Sequence, residues 1–159
     1  MSGRELLRMT EEEIAAVLDE GRRVQVATSN PDGTIHLVPL SYFVRDGRLA
    51  LWTDGLSRKV SNLRRNPGTT CLVELGSEFA DFRAVQITGR AQIITDVEAS
   101  RTAGEALFAR HSGGPLAEDV RAYVATLARD RVVVVVEPDR VISWDHRKLA
   151  GARPDAIGR

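Results

Sequence analysis

The sequence has few of the residue types that carry disulfide and metal chemistry. Its single cysteine, Cys71, lies in an apolar run, so the chain can form no internal disulfide, and we interpret Cys71 as a core residue. The three histidines, His36, His111 and His146, are far apart in sequence, and no Cys/His cluster has the spacing of metal ligands. We therefore predict no metal site and no zinc-dependent hydrolysis.

The chain also has no net charge and few aromatic residues. The chain balances 22 basic residues with 22 acidic ones, and only 5% of its residues are aromatic. Nucleic-acid binding uses positive charge and stacking side chains, so a nucleic-acid module built on Arg58, Lys59, Arg64 and Arg65 is a weak alternative. No stretch approaches the roughly 18 apolar residues of a spanning helix. We expect a soluble, cytoplasmic protein without a nucleic-acid or membrane partner.

The length and the hydrophobic content predict one domain. The chain has 159 residues, of which 43% are hydrophobic, as is usual for a soluble domain with its own core. We expect this domain to span residues 1–159, with flexible tails at residues 1–9 and 150–159.

Hydrophobic periodicity and turn residues predict mainly strands. A capping box from Thr10 to Glu13 opens a short helix, and Asn30-Pro31-Asp32-Gly33 and Arg45-Asp46-Gly47 are turn sequences. The predicted strands are 24–28, Thr34–Tyr42, Leu49–Thr53, Thr70–Leu75, Ala84–Thr95, Val132–Val136 and Val141–Trp144. The other predicted helices are Ser57–Arg65, one from a capping box at Thr95 to Arg110, and Leu116–Arg129. Strands joined mostly by hairpins predict a mainly β (α+β) fold, an antiparallel barrel with flanking helices.

Two strands depart from the usual pattern. Pro39 has no N–H group for a β-ladder, which favours an edge, a bulge or a position that faces a ligand. The run Val132–Val136 has no polar alternation, so both of its faces need cover, either from a second subunit or from the chain's own helices. Trp144 adds a large side chain beside a charged run, as at many interfaces; the alternative is that it closes the end of the barrel. We predict a homodimer.

The segment from Trp52 to Lys59 carries the most informative chemistry. A strand runs through a glycine turn into a helix whose predicted N-cap is Ser57, and Arg58 and Lys59 occupy the first turn. Cations there oppose the helix dipole at a cost of about 0.3–1 kcal/mol each. A bound phosphate would turn this cost into a stabilisation, because N–H groups, a hydroxyl and two cations would converge on one anion. A solvated basic turn is the alternative.

The stretch Thr53–Pro67 resembles the strand-to-helix cofactor segment of the pyridoxamine 5′-phosphate oxidase-like split barrels. This superfamily includes flavin- and deazaflavin-dependent oxidoreductases. The resemblance extends to the N-terminal helix, the Asn-Pro-Asp-Gly hairpin, Leu37-Val38-Pro39, Arg83–Ala91 and Trp144–Leu149. It implies an antiparallel split β-barrel with flanking helices.

The resemblance also implies which residues form the site. Ser57, Arg58 and Lys59 would hold the cofactor phosphate, and Asn62, one helical turn after Arg58, would face the same ligand. The remaining implied contacts are the Trp52-Thr53 and Val38-Pro39 backbones along the ring edge, Gln86, and Trp144 and Lys148 toward the cofactor of a partner subunit.

Two departures from the true oxidases narrow the expected activity. Their Arg-x-Val-Leu-Leu-Lys stretch corresponds here to His36–Ser41, without its basic residues, and their Arg-Gln-Val-Arg strand reads Arg83-Ala84-Val85-Gln86. These differences argue against vitamin B6 oxidation. We expect an oxidoreductase that transfers hydride between FMN or coenzyme F-420 and a small organic substrate, with no side chain required as acid or base. The alternative is a non-enzymatic protein that binds or stores flavin, deazaflavin or haem.

Overall fold

The chain folds as a curled sheet with flanking helices in the computed structural model, which describes residues 3–151. The strands are β1 (Arg23–Ser29), β2 (Ile35–Ser41), β3 (Phe43–Arg45), β4 (Arg48–Asp54), β5 (Gly68–Leu75), β6 (Arg83–Ile94) and β7 (Arg131–Asp145). The helices are α1 (Gly3–Leu7), α2 (Glu11–Glu20), α3 (Arg58–Arg65), α4 (Val97–Ser112), α5 (Glu118–Leu127) and a final 3₁₀ helix (His146–Gly151).

The seven strands form one antiparallel sheet in the order β2-β1-β5-β6-β7-β4-β3. The sheet curls into a half-barrel, which confirms the predicted mainly β class and the split-barrel architecture. Pro39 lies in β2, at one end of this order, where its missing N–H group is least costly. The edge interpretation of Pro39 is therefore confirmed.

Strand β6 pairs with β7 along its whole length, although α4 and α5 separate the two strands in the chain. The register of this pairing shifts between Thr88 and Gly89, and a Cβ at position 89 would lie 2.1 Å from the Glu137 carbonyl oxygen, so only glycine fits there. The two strands predicted at Val132–Val136 and Val141–Trp144 are instead one continuous strand, because Glu137, Pro138 and Arg140 also pair with β6, and only Asp139 is left unpaired at the register shift.

The inner core fills the concave side of the sheet. It combines side chains of the strands with the apolar faces of α2 and α3, including Val17, Val60 and Leu63. Cys71 is 1% exposed within this core, and burial raises the pKa of its thiol to about 11. The interpretation of Cys71 as a core residue is confirmed.

A second core lies between the outer side of β4 and β7 and the helices α4 and α5. Val133 and Val135 face this core, whereas Val132, Val134 and Val136 face the inner one. Both faces of the valine run are therefore covered, as predicted. The chain's own helices provide the cover on the outer side, so the run carries no argument for a second subunit.

Trp52 is the central side chain of the second core. Its indole Nε1–H donates to the Ser100 hydroxyl at 2.8 Å, and Phe108 packs edge-on against its ring. A Cβ at Gly104 would lie 2.7 Å from the Trp52 ring, so this glycine lets α4 approach β4 closely. Strand β4 is thereby fixed from the outside.

The helix starts agree with the sequence patterns at one place and differ at another. Thr10 and Glu13 form the predicted capping box of α2. Helix α4 is capped by Asp96, whose carboxylate accepts from Ala99 N–H, so the predicted capping box at Thr95 is wrong. The predicted N-terminal tail contains α1 and the buried Met9, and most of the predicted C-terminal tail lies outside the described residues.

Candidate functional site

The turn between β4 and α3 leaves a helix start without a side-chain cap. Asp54 shapes this turn, because its carboxylate accepts from Leu56 N–H at 2.7 Å and its carbonyl accepts from the Ser57 hydroxyl at 2.8 Å. Ser57 is the N-cap residue of α3, as predicted, but its hydroxyl is directed back to Asp54 and caps no N–H group. The first-turn N–H groups are therefore available to an anion.

Helix α3 carries four basic residues and no acidic one. Arg64 donates to the Gly55 carbonyl at 2.9 Å, and Arg65 donates to the Ser29 carbonyl and more weakly to Asn62. These two arginines thus tie the C-terminal half of α3 to neighbouring backbone. Neither Arg58 nor Lys59 forms an ion pair with any described residue.

Lys59 is half-buried in the first turn of α3. Burial lowers the pKa of its ammonium group, the Asp54 carboxylate opposes this effect, and the positive charge of Arg131 adds to it. A half-buried ammonium group without an ion-pair partner is unfavourable in the free protein. It suits a site that is completed by a bound anion.

Arg58 is exposed and lies on the side of α3 that faces the β1–β2 turn. The pKa of Asp32 in this turn is lowered mainly by hydrogen bonds from Thr34, with a smaller effect from the charge of Arg58. The two cations of the first turn therefore have different neighbours. Arg58 is near Asp32, and Lys59 is near Asp54 and Arg131.

Asn62 is buried at the contact between α3 and β1. Its side-chain amide donates to the Thr28 hydroxyl at 3.1 Å and to the Asn30 side-chain oxygen at 3.0 Å. Both N–H groups of the Asn62 amide thus have protein partners, and these hydrogen bonds hold α3 against the barrel. Its predicted contact with a ligand stays a prediction.

Two open strand edges lie near the start of α3. Strand β3 pairs with β4 only through Arg48–Ala50, and no described strand pairs with that edge of β4 beyond Ala50. Strand β2, which carries Val38 and Pro39, is the edge strand at the other end of the sheet, and it contacts β4. We call the gap between these two edges the split.

Trp52 and Thr53 lie on the β4 side of the split. Their side chains are buried, Trp52 in the second core, and their backbones pair with Val133 and Val132 of β7 on the opposite edge. Only the backbone of this segment is thus left to face a ligand in the split. The contact of these two backbones with a cofactor ring stays a prediction.

Gln86 and Trp144 lie on the convex side of the sheet, away from α3. One cross-strand row there contains Pro39, Gln25, Leu72, Gln86 and Ile142. We call this side of β2, β1, β5, β6 and the C-terminal half of β7 the outer face. Three strand spacings, or about 14 Å, separate Gln86 from Pro39 in this row.

Lys148 lies in the final 3₁₀ helix and already has partners. Its ammonium group forms an ion pair with Glu13 at 2.6 Å and donates to the Arg8 carbonyl at 2.7 Å. Within one chain, the structure brings Ser57, Arg58 and Lys59 together at the α3 start. It does not bring Gln86, Trp144 or Lys148 to them.

Sequence reasoning missed two features. The first is Arg131, which lies beside the α3 start with its guanidinium Cζ 4.5 Å from the centroid of the Trp52 ring. No motif near Arg131 in the sequence indicated a role in the site. The β2 part of the outer face also exposes two apolar side chains, with Ile35 62% and Leu37 61% exposed. The apolar residues at both odd and even positions from 35 to 40 were a signal for a strand with two apolar faces.

Other chemistry is not evident in the described part of the chain. No three His, Cys, Asp or Glu side chains between residues 3 and 151 come together as metal ligands. His111 and His146 contact backbone carbonyl oxygens of Leu107 and Phe79 through Nδ1. None of the helices among these residues has the length and hydropathy of a membrane span.

Comparison with known proteins identifies the family. The family model described as pyridoxamine 5′-phosphate oxidase matches residues 10–145. The structure is similar to the conserved hypothetical protein Rv2991 from Mycobacterium tuberculosis, with 35% identity, a TM-score of 0.85, and coverage of 92% of this chain and 91% of that chain. Among curated protein sequences, none matches this chain.

More distant structures share the fold alone. An F420 reductase has 21% identity and a TM-score of 0.60, with coverage of 79% of this chain and 93% of that chain. HutZ, a heme storage protein from Vibrio cholerae, has 14% identity and a TM-score of 0.65, with coverage of 86% and 97%. The family model spans most of the chain, so this protein belongs to the pyridoxamine 5′-phosphate oxidase family of split β-barrels.

Proposed function

We propose that this protein binds a flavin-type cofactor, FMN or coenzyme F-420, with the cofactor phosphate at the start of α3. The observation that carries the proposal is Lys59, a half-buried cation without an ion-pair partner among the described residues, beside N–H groups that no side chain caps. Such a group is unfavourable alone and favourable beside a phosphate. Ser57 and Arg58 would complete the phosphate site.

In this proposal the ring system of the cofactor lies along the split. The open backbone edges at Trp52-Thr53 and at Val38-Pro39 would bind and orient it, while the buried Trp52 side chain keeps β4 in place. When bound, the cofactor supplies the hydride chemistry. The chain's own residues would anchor the phosphate, orient the ring and exclude water.

The proposed activity is that of an oxidoreductase acting on a small organic substrate. Family membership supports this activity, and an F420 reductase with the same fold supports coenzyme F-420 as one of the two cofactors. The second candidate function is storage or transport without turnover. The shared fold of HutZ, a heme storage protein, is the observation that favours it.

Titration with each cofactor, followed by turnover, tests both candidates. FMN or coenzyme F-420 should bind with micromolar or tighter affinity, about −8 kcal/mol, which a change in cofactor fluorescence reports. An oxidoreductase then oxidises the reduced cofactor continuously in the presence of an organic acceptor, whereas a storage protein shows saturable binding without turnover. If neither compound changes its fluorescence at tens of micromolar protein, the cofactor assignment fails.

We further propose that the protein is a homodimer, formed through the outer face. This face exposes Ile35 and Leu37 on β2. Elsewhere it carries Gln86, Ile142 and the half-buried Trp144, and a second copy could cover these apolar and neutral side chains while the charged ones between them stay at the rim. In the dimer, Trp144 and Lys148 would approach the cofactor of the partner subunit.

Light scattering tests the dimer. We expect a mass near twice the 17.4 kDa of one chain, and Leu37→Arg should shift it toward one chain by placing charge on the outer face. Trp144→Ala should weaken both association and cofactor binding. An unmodified protein with the mass of one chain at micromolar concentration would contradict the dimer and the shared site.

A further inference from the structure

Arg131, the first residue of β7, lies beside the turn that leads into α3. It pairs with Asp54 in the β4–β7 ladder, and the carbonyl of the preceding Asp130 accepts from Gly55 N–H at 2.9 Å. Two backbone links therefore fix Arg131 next to the site, although it is distant from α3 in sequence.

The Arg131 side chain is oriented by Trp52 but not neutralised by it. The guanidinium Cζ lies 4.5 Å from the centroid of the Trp52 ring, and one Nη donates to the Trp52 carbonyl at 3.5 Å. Contacts with a ring and a carbonyl hold a guanidinium group in place without cancelling its charge. Within residues 3–151, no carboxylate forms an ion pair with it.

Lys59 and Arg131 are like charges close enough to affect each other. The pKa of Lys59 is lowered chiefly by burial, and Arg131 lowers it further against the opposing effect of Asp54. Two partly buried cations that repel each other raise the free energy of the ligand-free protein. An anion bound beside both of them would remove that repulsion.

We propose that Arg131 is a third cation, besides Arg58 and Lys59, that binds the anionic tail of the cofactor. The inference rests on the proposed function, since it assigns Arg131 to the same site. A guanidinium group held over an aromatic ring presents several N–H donors in one plane, which suits phosphate and carboxylate oxygen atoms. The tail of FMN offers a phosphate, and that of coenzyme F-420 offers a phosphodiester and carboxylates.

Titration of matched variants with three ligands tests this assignment. The variants are Arg131→Gln, Arg131→Lys, Lys59→Met and, as a control for net charge, Arg129→Gln at an exposed position two residues away. The ligands are FMN, coenzyme F-420 and riboflavin, which lacks any anionic tail. We expect Arg131→Gln to weaken binding of FMN, coenzyme F-420 or both by at least about tenfold. Riboflavin binding should not change, and Arg129→Gln should bind all three ligands as the parent does.

The pattern across ligands identifies the group that Arg131 contacts. Weaker binding of both FMN and coenzyme F-420 indicates the phosphate, and weaker binding of coenzyme F-420 alone indicates its carboxylates. Arg131→Lys keeps the charge but not the planar donors, so its loss should be intermediate. If Arg131→Gln does not fold, as thermal unfolding of the ligand-free variant would reveal, Arg131→Lys carries the test.

Three outcomes overturn the inference. Unchanged binding of FMN and coenzyme F-420 by the Arg131 variants, together with weaker binding by Lys59→Met, removes Arg131 from the site and leaves the proposed function standing. An equal loss for riboflavin assigns Arg131 to packing against Trp52. If the parent protein binds neither FMN nor coenzyme F-420, the proposed function and the inference fail together.

Discussion

The chain's two lysines, Lys59 and Lys148, lie in regions with opposite electrostatics. Lys59 is near Arg131 at the α3 start and has no ion pair with a described residue. Lys148 is part of a region in which carboxylates face the cations, and its partner Glu13 lies 2.6 Å away. We call the ion pairs Glu13–Lys148, Glu20–Arg83 and Asp145–Arg147 the paired region.

The difference between the two regions separates binding from stability. A cation with a carboxylate partner is compensated, and binding an anion would first require it to leave that partner. A cation without a partner gains a partner when an anion binds. Changes at the α3 start should therefore alter cofactor affinity, whereas changes in the paired region should alter the free energy of unfolding.

The largest expected effect is that of Lys59→Met on cofactor binding. Methionine keeps the apolar stem of the side chain and removes the charge, so FMN affinity should fall by about 1.5–3 kcal/mol, while riboflavin affinity should hold. Fluorescence titration measures both, with Arg121→Gln, an exposed position on α5, as the control. Equal FMN affinity in the variant and the parent would assign Lys59 to a solvated turn.

Asp145→Ala should show the opposite pattern. Asp145 is buried and accepts hydrogen bonds from the backbone and the guanidinium group of Arg147. Their loss should lower the free energy of unfolding by about 2 kcal/mol in urea denaturation, with FMN affinity per folded site unchanged. A large change in FMN affinity with an unchanged free energy of unfolding would contradict the assignment of the paired region to stability.

The Asp145 carboxylate should also make the free energy of unfolding depend on pH. The hydrogen bond from Arg147 is the main cause of the lowered pKa of Asp145. Because the pKa in the folded state is below the value of about 3.9 for an unfolded chain, the stabilisation is present above that pH. It is lost as pH falls through the folded-state pKa, so Asp145→Ala and the parent should converge in stability in acid.

Raising the pH should weaken phosphate recognition at Lys59. Only the ammonium form attracts phosphate, and burial lowers its pKa, so the loss should begin below the ordinary lysine value of about 10.4. The preference for FMN over riboflavin should fall toward that of Lys59→Met. The difference in binding free energy between the two ligands should shrink by up to about 1.4 kcal/mol per pH unit. A ratio that stays constant across this range in the parent would exclude Lys59 as a phosphate ligand.

Lys148→Met should have the smallest effect. The Glu13–Lys148 pair is partly exposed, so its loss should cost about 0.2–1 kcal/mol of stability in thermal unfolding. FMN affinity should change far less than in Lys59→Met. A comparable loss of affinity would mean that Lys148 leaves Glu13 and binds the cofactor of the partner subunit.

Local patterns were sufficient to predict the barrel and the start of α3. The turn residues, the capping box at Thr10 and the glycine turn before Ser57 each act within a few residues, and the structure has all of them. The pattern at Val132–Val136 correctly predicted cover on both faces. It could not identify the cover, because a valine packs in the same way against a helix of its own chain or against a second subunit.

Partners that are distant in sequence could not be predicted. Asn62 meets Thr28 and Asn30 across the α3–β1 contact, and Lys148 meets Glu13, 135 residues away. The sequence showed that these groups are polar, but only the fold reveals that they already have partners. The same holds for Arg131, whose importance depends on the pairing of β4 with β7.

The most direct test of the central claim is the difference between FMN and riboflavin binding to the unmodified protein. The two ligands share one ring system and differ in the phosphate, so the difference reports what the α3 start contributes. With FMN as the cofactor, we predict that it binds with micromolar or tighter affinity and that riboflavin binds at least about tenfold more weakly, a difference of about 1.4 kcal/mol. Equal affinities for the two ligands would contradict a phosphate site at Ser57, Arg58 and Lys59.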